Sequence, residues 1–211
     1  LVMDDVVIVD TGSSGIPHMI NVLEDTYNVD LITIEDVMQG VPADTEVLVW
    51  PGGVSFLNED YISYTIFPFS VYIEPQITTS LQNFVNSGGG YVGICAGSII
   101  GTTLLETEVD VQDVYPEFPV SVIITEMSMA GLMDVNAVDY LEWYDNYAGQ
   151  NNNMETLAFN DHPIIGDYNG GYIDYYGGPV FKDYENVEVI GNEALGMIET
   201  KGLTALIEAA D

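Results

Sequence analysis

Short apolar runs alternate with longer amphipathic segments in the first half of the chain. The runs predict a buried strand over residues 6–9 and further strands over residues 31–34, 46–50 and 91–94. Apolar residues at helical spacing predict helices over residues 17–27 and 75–86, with Pro17 suited to a first turn. Strands that alternate with helices through Gly-rich turns indicate a parallel sheet covered on both faces.

Turn-forming segments follow three of these strands. They comprise residues 10–15, 51–53 and 95–97. In parallel sheets, ligands bind beyond the carboxyl ends of the strands. We therefore expect the three segments to converge on one edge of the sheet.

The second half of the chain has weaker patterns. Residues 120–124 and 187–190 are predicted strands, and the three asparagines 151–153 mark a surface loop. An aromatic cluster could line a carbohydrate or peptide surface, or pack as a lid against the sheet; it comprises Tyr140, Trp143, Tyr144 and Tyr147. Since there is no repeat or interdomain linker, we expect one domain over residues 1–211.

The charge balance narrows the choice of partners and habitat. The chain has 34 acidic and 2 basic residues, for a net charge of -32, which opposes binding to nucleic acids and anionic membranes. With 47% hydrophobic residues, it is too apolar for a disordered acidic tail. There is no Arg, and omitting bases keeps a protein near neutrality where carboxylates are protonated. This favours an acidic extracellular or cell-surface setting, with the cytoplasm of a salt-adapted cell as the alternative.

The segment around Cys95 carries the most specific chemistry. Small residues on both sides permit a sharp strand-to-helix turn, which would direct the thiol into the cleft at a helix N-terminus, where thiolate is favoured. Backbone N–H groups of Gly52, Gly53 and the turn itself could stabilise an oxyanion. The alternative is a buried, inert cysteine in a tight turn.

These residues resemble a known family. Gly93-Ile94-Cys95-Ala96-Gly97 resembles the nucleophile elbow of the class I glutamine amidotransferase-like superfamily. Residues 88–97 are similar to the Gly-Gly-x-Tyr-x-Gly-x-Cys-Ala-Gly pattern of biotin-protein ligase N-terminal-like domains, and weaker matches lie at residues 11–18, 50–53, 161–164 and 175–181. The resemblance implies a flavodoxin-like, three-layer α/β sandwich with a mostly parallel sheet. It also implies a further strand, carrying a late His, beyond the last residue given.

The chain departs from the superfamily in its catalytic residues. Amidotransferases use Cys, His and Glu, with a His-Pro-Glu motif, but here Ile164 follows His162-Pro163, so no complete triad is found. Tyr176 stands where relatives commonly have Asn. His18 occupies a position that resembles a family His and is the candidate base. Its alternative role is that of a helix N-terminal residue bonded to a nearby carbonyl.

The resemblance implies a stand-alone domain whose Cys95 pocket binds a small polar ligand or performs limited hydrolase chemistry. Cys95 is the candidate nucleophile; the expected backbone donors and lining residues are Gly52, Gly53, Ala96, Ser14, His18 and Tyr176. The competing hypothesis is a non-catalytic module of a homo-oligomer or extracellular assembly. No cofactor or metal is expected, because the carboxylate pairs lack the spacing of a Ca²⁺ loop and suit a solvated surface.

Overall fold

The structure is a computed structural model that describes residues 5–52, 61–66, 69–114, 116–117, 121, 123–138, 153–159, 172–175, 180–183, 187–193 and 204–208. The helices in this part of the chain are α1 (Ile16–Leu23), α2 (Ile34–Gln39), α3 (Pro75–Asn86), α4 (Ala96–Gly101) and α5 (Val111–Val114). The strands up to the elbow are β1 (Asp5–Asp10), β2 (Asn28–Thr33), β3 (Val47–Trp50), β4 (Ile62–Ile66), β5 (Phe69–Ile73) and β6 (Gly90–Gly93). The later strands are β7 (Leu104–Asp110), β8 (Ile123–Ser128), β9 (Asn136–Val138), β10 (Asn153–Phe159), β11 (Tyr172–Tyr175), β12 (Val180–Lys182), β13 (Val187–Glu193) and β14 (Thr204–Glu208).

The first four parallel strands form a sheet in the order β2-β1-β3-β6. The β-branched residues of β1 are buried on both faces of this sheet, as expected of a strand covered by helices on each side. The predicted α/β fold with a mostly parallel sheet is confirmed.

Two apolar clusters show the three layers. On one face, Val6, Ile8 and Val49 pack with Ile16 of α1. On the other face, the alternate side chains of β1 and β3 belong to a larger cluster that includes residues of α2, α3 and α4. Because successive strand residues point to opposite faces, a single run such as Val6 to Val9 supplies both layers.

The remaining described strands form two further sheets. A six-stranded mixed sheet has the order β12-β9-β7-β8-β5-β4, and an antiparallel sheet has the order β11-β10-β13-β14. Val71, Leu105 and Met127 of the mixed sheet belong to the larger apolar cluster, so this sheet shares the core of the parallel one.

Helix α2 corrects the predicted second strand. Residues 31–34 were predicted to be extended, but the strand ends at Thr33 and Ile34 begins the helix. The Thr33 side chain accepts a hydrogen bond from the Asp36 amide, and the Asp36 carboxylate accepts one from the Thr33 amide. This reciprocal cap ends the strand in the middle of an apolar run.

Other boundaries differ in the second half. The strand predicted over residues 120–124 is β8, which begins at Ile123, whereas β13 contains the whole of the predicted strand at 187–190. Asn153 was assigned to a loop, but it is the first residue of β10. The aromatic cluster lies outside the described residues.

Candidate functional site

Cys95 forms a strained elbow between β6 and α4. It is the N-cap residue of α4, with φ of 55° and ψ of -117°. For a residue with a side chain, such a conformation costs on the order of 1–3 kcal/mol and persists only where its surroundings enforce it. Here the Gly97 amide donates to the Ile94 carbonyl at 3.0 Å, and both the amide and the hydroxyl of Ser98 donate to the Cys95 carbonyl.

Glycines let the backbones on either side of the elbow approach closely. A Cβ atom at Gly97 would lie 1.9 Å from the carbonyl oxygen of Trp50. One at Gly93 would lie 2.6 Å from the Gly97 carbonyl oxygen. Since these neighbours are backbone atoms rather than flexible side chains, β3, β6 and the start of α4 have no room for larger residues here.

Tyr91 supports the elbow from inside the fold. Its hydroxyl donates to the Gly97 carbonyl oxygen at 2.6 Å. Desolvation of the phenol raises the pKa of Tyr91 above its ordinary value. The hydroxyl therefore stays protonated and remains a donor across the physiological pH range.

Residues that follow β8 complete the hydrogen bonding of α4, the helix that begins at the elbow. The Ala130 amide donates to the Ile100 carbonyl at 3.0 Å, and the amides of Leu132 and Met133 both donate to the Gly101 carbonyl at 2.9 Å. Ala130 is fully buried. The last carbonyls of α4 are thus satisfied by residues from beyond β8.

Three strand ends meet at Cys95, in agreement with the predicted convergence. The Thr11 hydroxyl donates to the Gly52 carbonyl oxygen at 2.8 Å, which ties the loop after β1 to the loop after β3. A Cβ at Gly52 would lie 2.9 Å from Cβ and 3.3 Å from Sγ of Cys95. Gly52 therefore brings its backbone against the thiol.

Two backbone donors lie beside the thiol. Among the described residues, neither the Gly52 amide nor the Ala96 amide donates to a carbonyl. Backbone N–H groups that flank a nucleophile can stabilise the negative charge that develops on an attacked carbonyl oxygen. Gly53, the third predicted donor, lies outside the described residues.

Ser14 and His18, two other predicted residues, lie in or next to the first turn of α1. His18 is an exposed residue in the first turn of α1, and its amide donates to the Gly15 carbonyl at 3.1 Å. The structure gives no hydrogen bond between its ring and Cys95, so its role as a base stays a prediction. Ser14 is also exposed, while Tyr176 and His162 lie outside the described residues.

Sequence reasoning missed two positioning residues, Thr11 and Tyr91. Tyr91 was visible as the aromatic residue of the elbow pattern, but only the fold shows that its hydroxyl reaches the Gly97 carbonyl. The hydrogen bond from Thr11 joins residues 41 positions apart, a separation that leaves no local signal.

Metal and membrane features are absent from the part of the chain that the structure describes. That part contains no group of three or more His, Cys, Asp or Glu side chains arranged to hold a metal ion. None of its helices is both long enough and apolar enough to cross a membrane.

The comparison with family models matches the region that contains the elbow. The family described as the N-terminal part of biotin-protein ligase matches residues 10–117, from the end of β1 to just beyond α5. No curated protein matches the chain. Because the family match spans more than half of the 211 residues, the chain belongs to the biotin-protein ligase N-terminal family.

Proposed function

We propose that the Cys95 pocket binds a small polar carbonyl compound and performs limited hydrolase chemistry on it. The observation that carries this proposal is the strained elbow, since a non-glycine residue with φ of 55° is held there at a cost in stability. An inert cysteine would gain nothing from that conformation, whereas a nucleophile gains exposure to the cleft. The proposal assigns no ligase reaction to the chain.

In the proposed reaction, the Cys95 thiolate attacks the carbonyl carbon and forms a C–S bond. The amides of Gly52 and Ala96 donate to the resulting oxyanion. The leaving group departs with a proton, and water then hydrolyses the thioester to a carboxylic acid and the free thiol. Without an assigned base, proton transfer falls to water, and we expect turnover to be slow.

A second candidate function is a non-catalytic binding module. It is favoured by the position of His18, which is exposed and whose amide bonds to Gly15, as in the alternative role considered for this residue. On this proposal the elbow is inherited architecture, and the chain acts in an extracellular or cell-surface assembly.

Thiol reactivity separates the two functions. On the catalytic proposal, iodoacetamide alkylates Cys95 faster than free cysteine over part of the range from about pH 5 to 9. Cys95→Ala then abolishes hydrolysis of a small activated ester such as p-nitrophenyl acetate. Cys95→Ser is the matched control, since it replaces the thiol with a hydroxyl of similar size at the same position. The catalytic proposal fails if Cys95 reacts no faster than free cysteine at every pH and Cys95→Ala hydrolyses the ester as fast as the parent chain. The binding module would then be the remaining candidate function.

The acidic habitat is a separate proposal, supported by the net charge of -32 and the absence of Arg. Relief of carboxylate repulsion should maintain or raise stability as the pH falls towards about 3. Thermal unfolding followed over that range is the measurement. Unfolding near pH 3, together with stabilisation by molar salt at neutral pH, would support the salt-adapted cytoplasm instead.

A further inference from the structure

An open groove lies beside α1, between this helix, the end of β1 and β2. Its volume is about 530 Å³. The residues that line it are Asp10, Gly12, Ser13, Ile16, Pro17, Ile20, Asn21, Glu24 and Leu31. It lies partly beyond the carboxyl end of β1, where open parallel sheets commonly bind ligands.

The groove combines an apolar floor with acidic ends. Ile16 is buried, Ile20 is half-buried, and Leu31 keeps 47% of its surface exposed, an unusual amount for a large apolar side chain in a strand. Asp10 lies at the start of the loop that leads into α1, and Glu24 follows the last residue of α1. The eight residues of α1 span about 12 Å, so the carboxylates stand near opposite ends of the groove.

The charges indicate what kind of occupant fits. Both ionisable groups of the lining are acidic, and a ligand with cationic groups beside apolar ones would complement them. A second copy of this chain is a poor occupant, because each copy has 34 acidic residues and 2 basic ones. The occupant is therefore a different molecule with a positive charge.

The shape of the groove favours a peptide over a small amine. Small-molecule sites enclose most of their ligand, but Asp10, Pro17, Asn21 and Glu24 are all exposed here. The groove is also bordered by β2, which is an edge strand of the described parallel sheet. An edge strand offers backbone hydrogen bonds to an added extended segment, whereas an amine without a peptide backbone cannot use them.

We propose that this groove binds an extended segment of a partner protein in which basic and apolar side chains alternate. Alternation places the apolar side chains on the face of the segment that covers Leu31 and Ile20. The basic side chains lie on the opposite face, and those near the two ends of the segment have long flexible stems that can bend round the backbone towards Asp10 and Glu24 while their charged groups stay in water. This function is independent of the chemistry at Cys95.

The test uses a fluorescein-labelled probe, acetyl-Lys-Leu-Lys-Leu-Lys-amide, with the full chain and fluorescence anisotropy at low salt. We expect the double variant Asp10→Asn/Glu24→Gln to raise the Kd about fivefold through the loss of two exposed charge pairs. Leu31→Ala should raise it about threefold through lost apolar contact. Circular dichroism checks that each variant is folded.

Two matched controls test whether the groove is responsible. Asp44→Asn/Glu126→Gln removes the same charge from exposed residues outside the groove, and Val22→Ala shortens an apolar side chain on α1 that does not line it. Unchanged binding by both controls supports the proposal. If Asp44→Asn/Glu126→Gln weakens binding as much as the groove variant does, the probe is attracted to the overall negative charge of the protein. That result would overturn the proposal.

Changes to the probe test whether the apolar side chains and the peptide backbone contribute to binding. A Lys-Ser-Lys-Ser-Lys probe should bind more weakly, and spermidine should compete poorly at matched charge. If the serine probe binds equally and Leu31→Ala changes nothing, the apolar floor has no role and the proposal fails. Full displacement by spermidine would make the groove an amine site, which also contradicts it.

Discussion

The elbow at Cys95 and the acidic first turn of α2, which contains Glu35 and Asp36, are held in place by different kinds of interaction. At the elbow, close backbone contacts at Gly93 and Gly97 and a partly buried hydrogen bond from Tyr91 hold Cys95 in position. In the first turn of α2, carboxylates make the stabilising contacts. Glu35 accepts a hydrogen bond from the Tyr61 hydroxyl at 2.6 Å, and Asp36 accepts one from the Thr33 amide in the helix cap.

This difference predicts different responses to pH. Hydrogen bonds from Tyr61 lower the pKa of Glu35, and those from Thr33 lower the pKa of Asp36. Their stabilisation is present above the unfolded pKa values and is lost as the pH falls through the lower folded values. At the elbow, the hydrogen bonds from the Tyr91 and Ser98 hydroxyls go to backbone carbonyls and not to carboxylates. We therefore expect these two bonds to persist at a pH where the carboxylate hydrogen bonds of α2 are lost.

The largest expected effect would break the elbow itself. In Gly97→Ala, the new Cβ would meet the Trp50 carbonyl oxygen at 1.9 Å, and we expect a loss of about 3 kcal/mol or more in the free energy of unfolding. Urea denaturation measures it. The matched control is Gly15→Ala, whose Cβ has no neighbour closer than 3.6 Å and should change stability by less than about 0.5 kcal/mol. Equal effects would mean that the elbow is not tightly packed.

Gly52→Ala tests the approach of the second loop. Its Cβ would lie 2.9 Å from Cβ of Cys95, so the backbone of one of the two loops must shift, at a cost of about 1–2 kcal/mol. The rate of alkylation by iodoacetamide should change along with stability. A variant with the stability and thiol reactivity of the parent chain would contradict the contact.

Cys95→Gly tests whether strain is stored at the elbow. Glycine adopts positive φ readily, so the variant should gain about 0.5–1 kcal/mol in unfolding free energy after the entropy cost of glycine is subtracted. Cys95→Ala is the control, since it removes the thiol but keeps the strain. If glycine stabilises no more than alanine, the conformation is not costly.

Paired tyrosine variants compare the two regions directly. Tyr91→Phe removes the hydrogen bond from the hydroxyl to the Gly97 carbonyl and should cost about 0.5–1.5 kcal/mol, with little change from pH 7 to pH 4. Tyr61→Phe should cost less than about 1 kcal/mol at pH 7, because Glu35 is solvent-exposed. Its cost should shrink as the pH falls below about 4.3, the ordinary Glu pKa. Parallel pH profiles would remove the proposed distinction.

Thr33→Ala should have the smallest effect. It removes the hydroxyl that accepts from the Asp36 amide and donates to the Asp36 carboxylate, so it should lower stability at neutral pH. The loss should become smaller as the pH falls through the lowered pKa of Asp36. Thr79→Ala in α3 is the control for the change of residue type. A pH-independent cost would show that the Asp36 carboxylate does not take part.

The sequence predicted best where local pattern and burial agree. Helix α3 has the predicted bounds, and the residues of β1 and β3 alternate between the two apolar clusters as a covered strand should. The strand prediction was wrong at Ile34, because the capping hydrogen bonds between Thr33 and Asp36 start a helix within the apolar run. The proximity of Gly52 to Cys95 was predictable because small residues at turns after parallel strands are a local signal; their roles in a site stay predictions. The hydrogen bond between Thr11 and Gly52 could not be predicted, because it depends on which loops the strand order of the sheet brings together.

The amides that complete α4 have a consequence for biosynthesis. They come from Ala130, Leu132 and Met133, which follow the family-matched residues 10–117 in the chain. A ribosome therefore makes Cys95 well before it makes the donors that satisfy the last turn of the elbow helix. We expect the nascent chain to hold an unfinished elbow until Met133 has emerged, so a pause in translation before that point would prolong exposure of the core to misfolding.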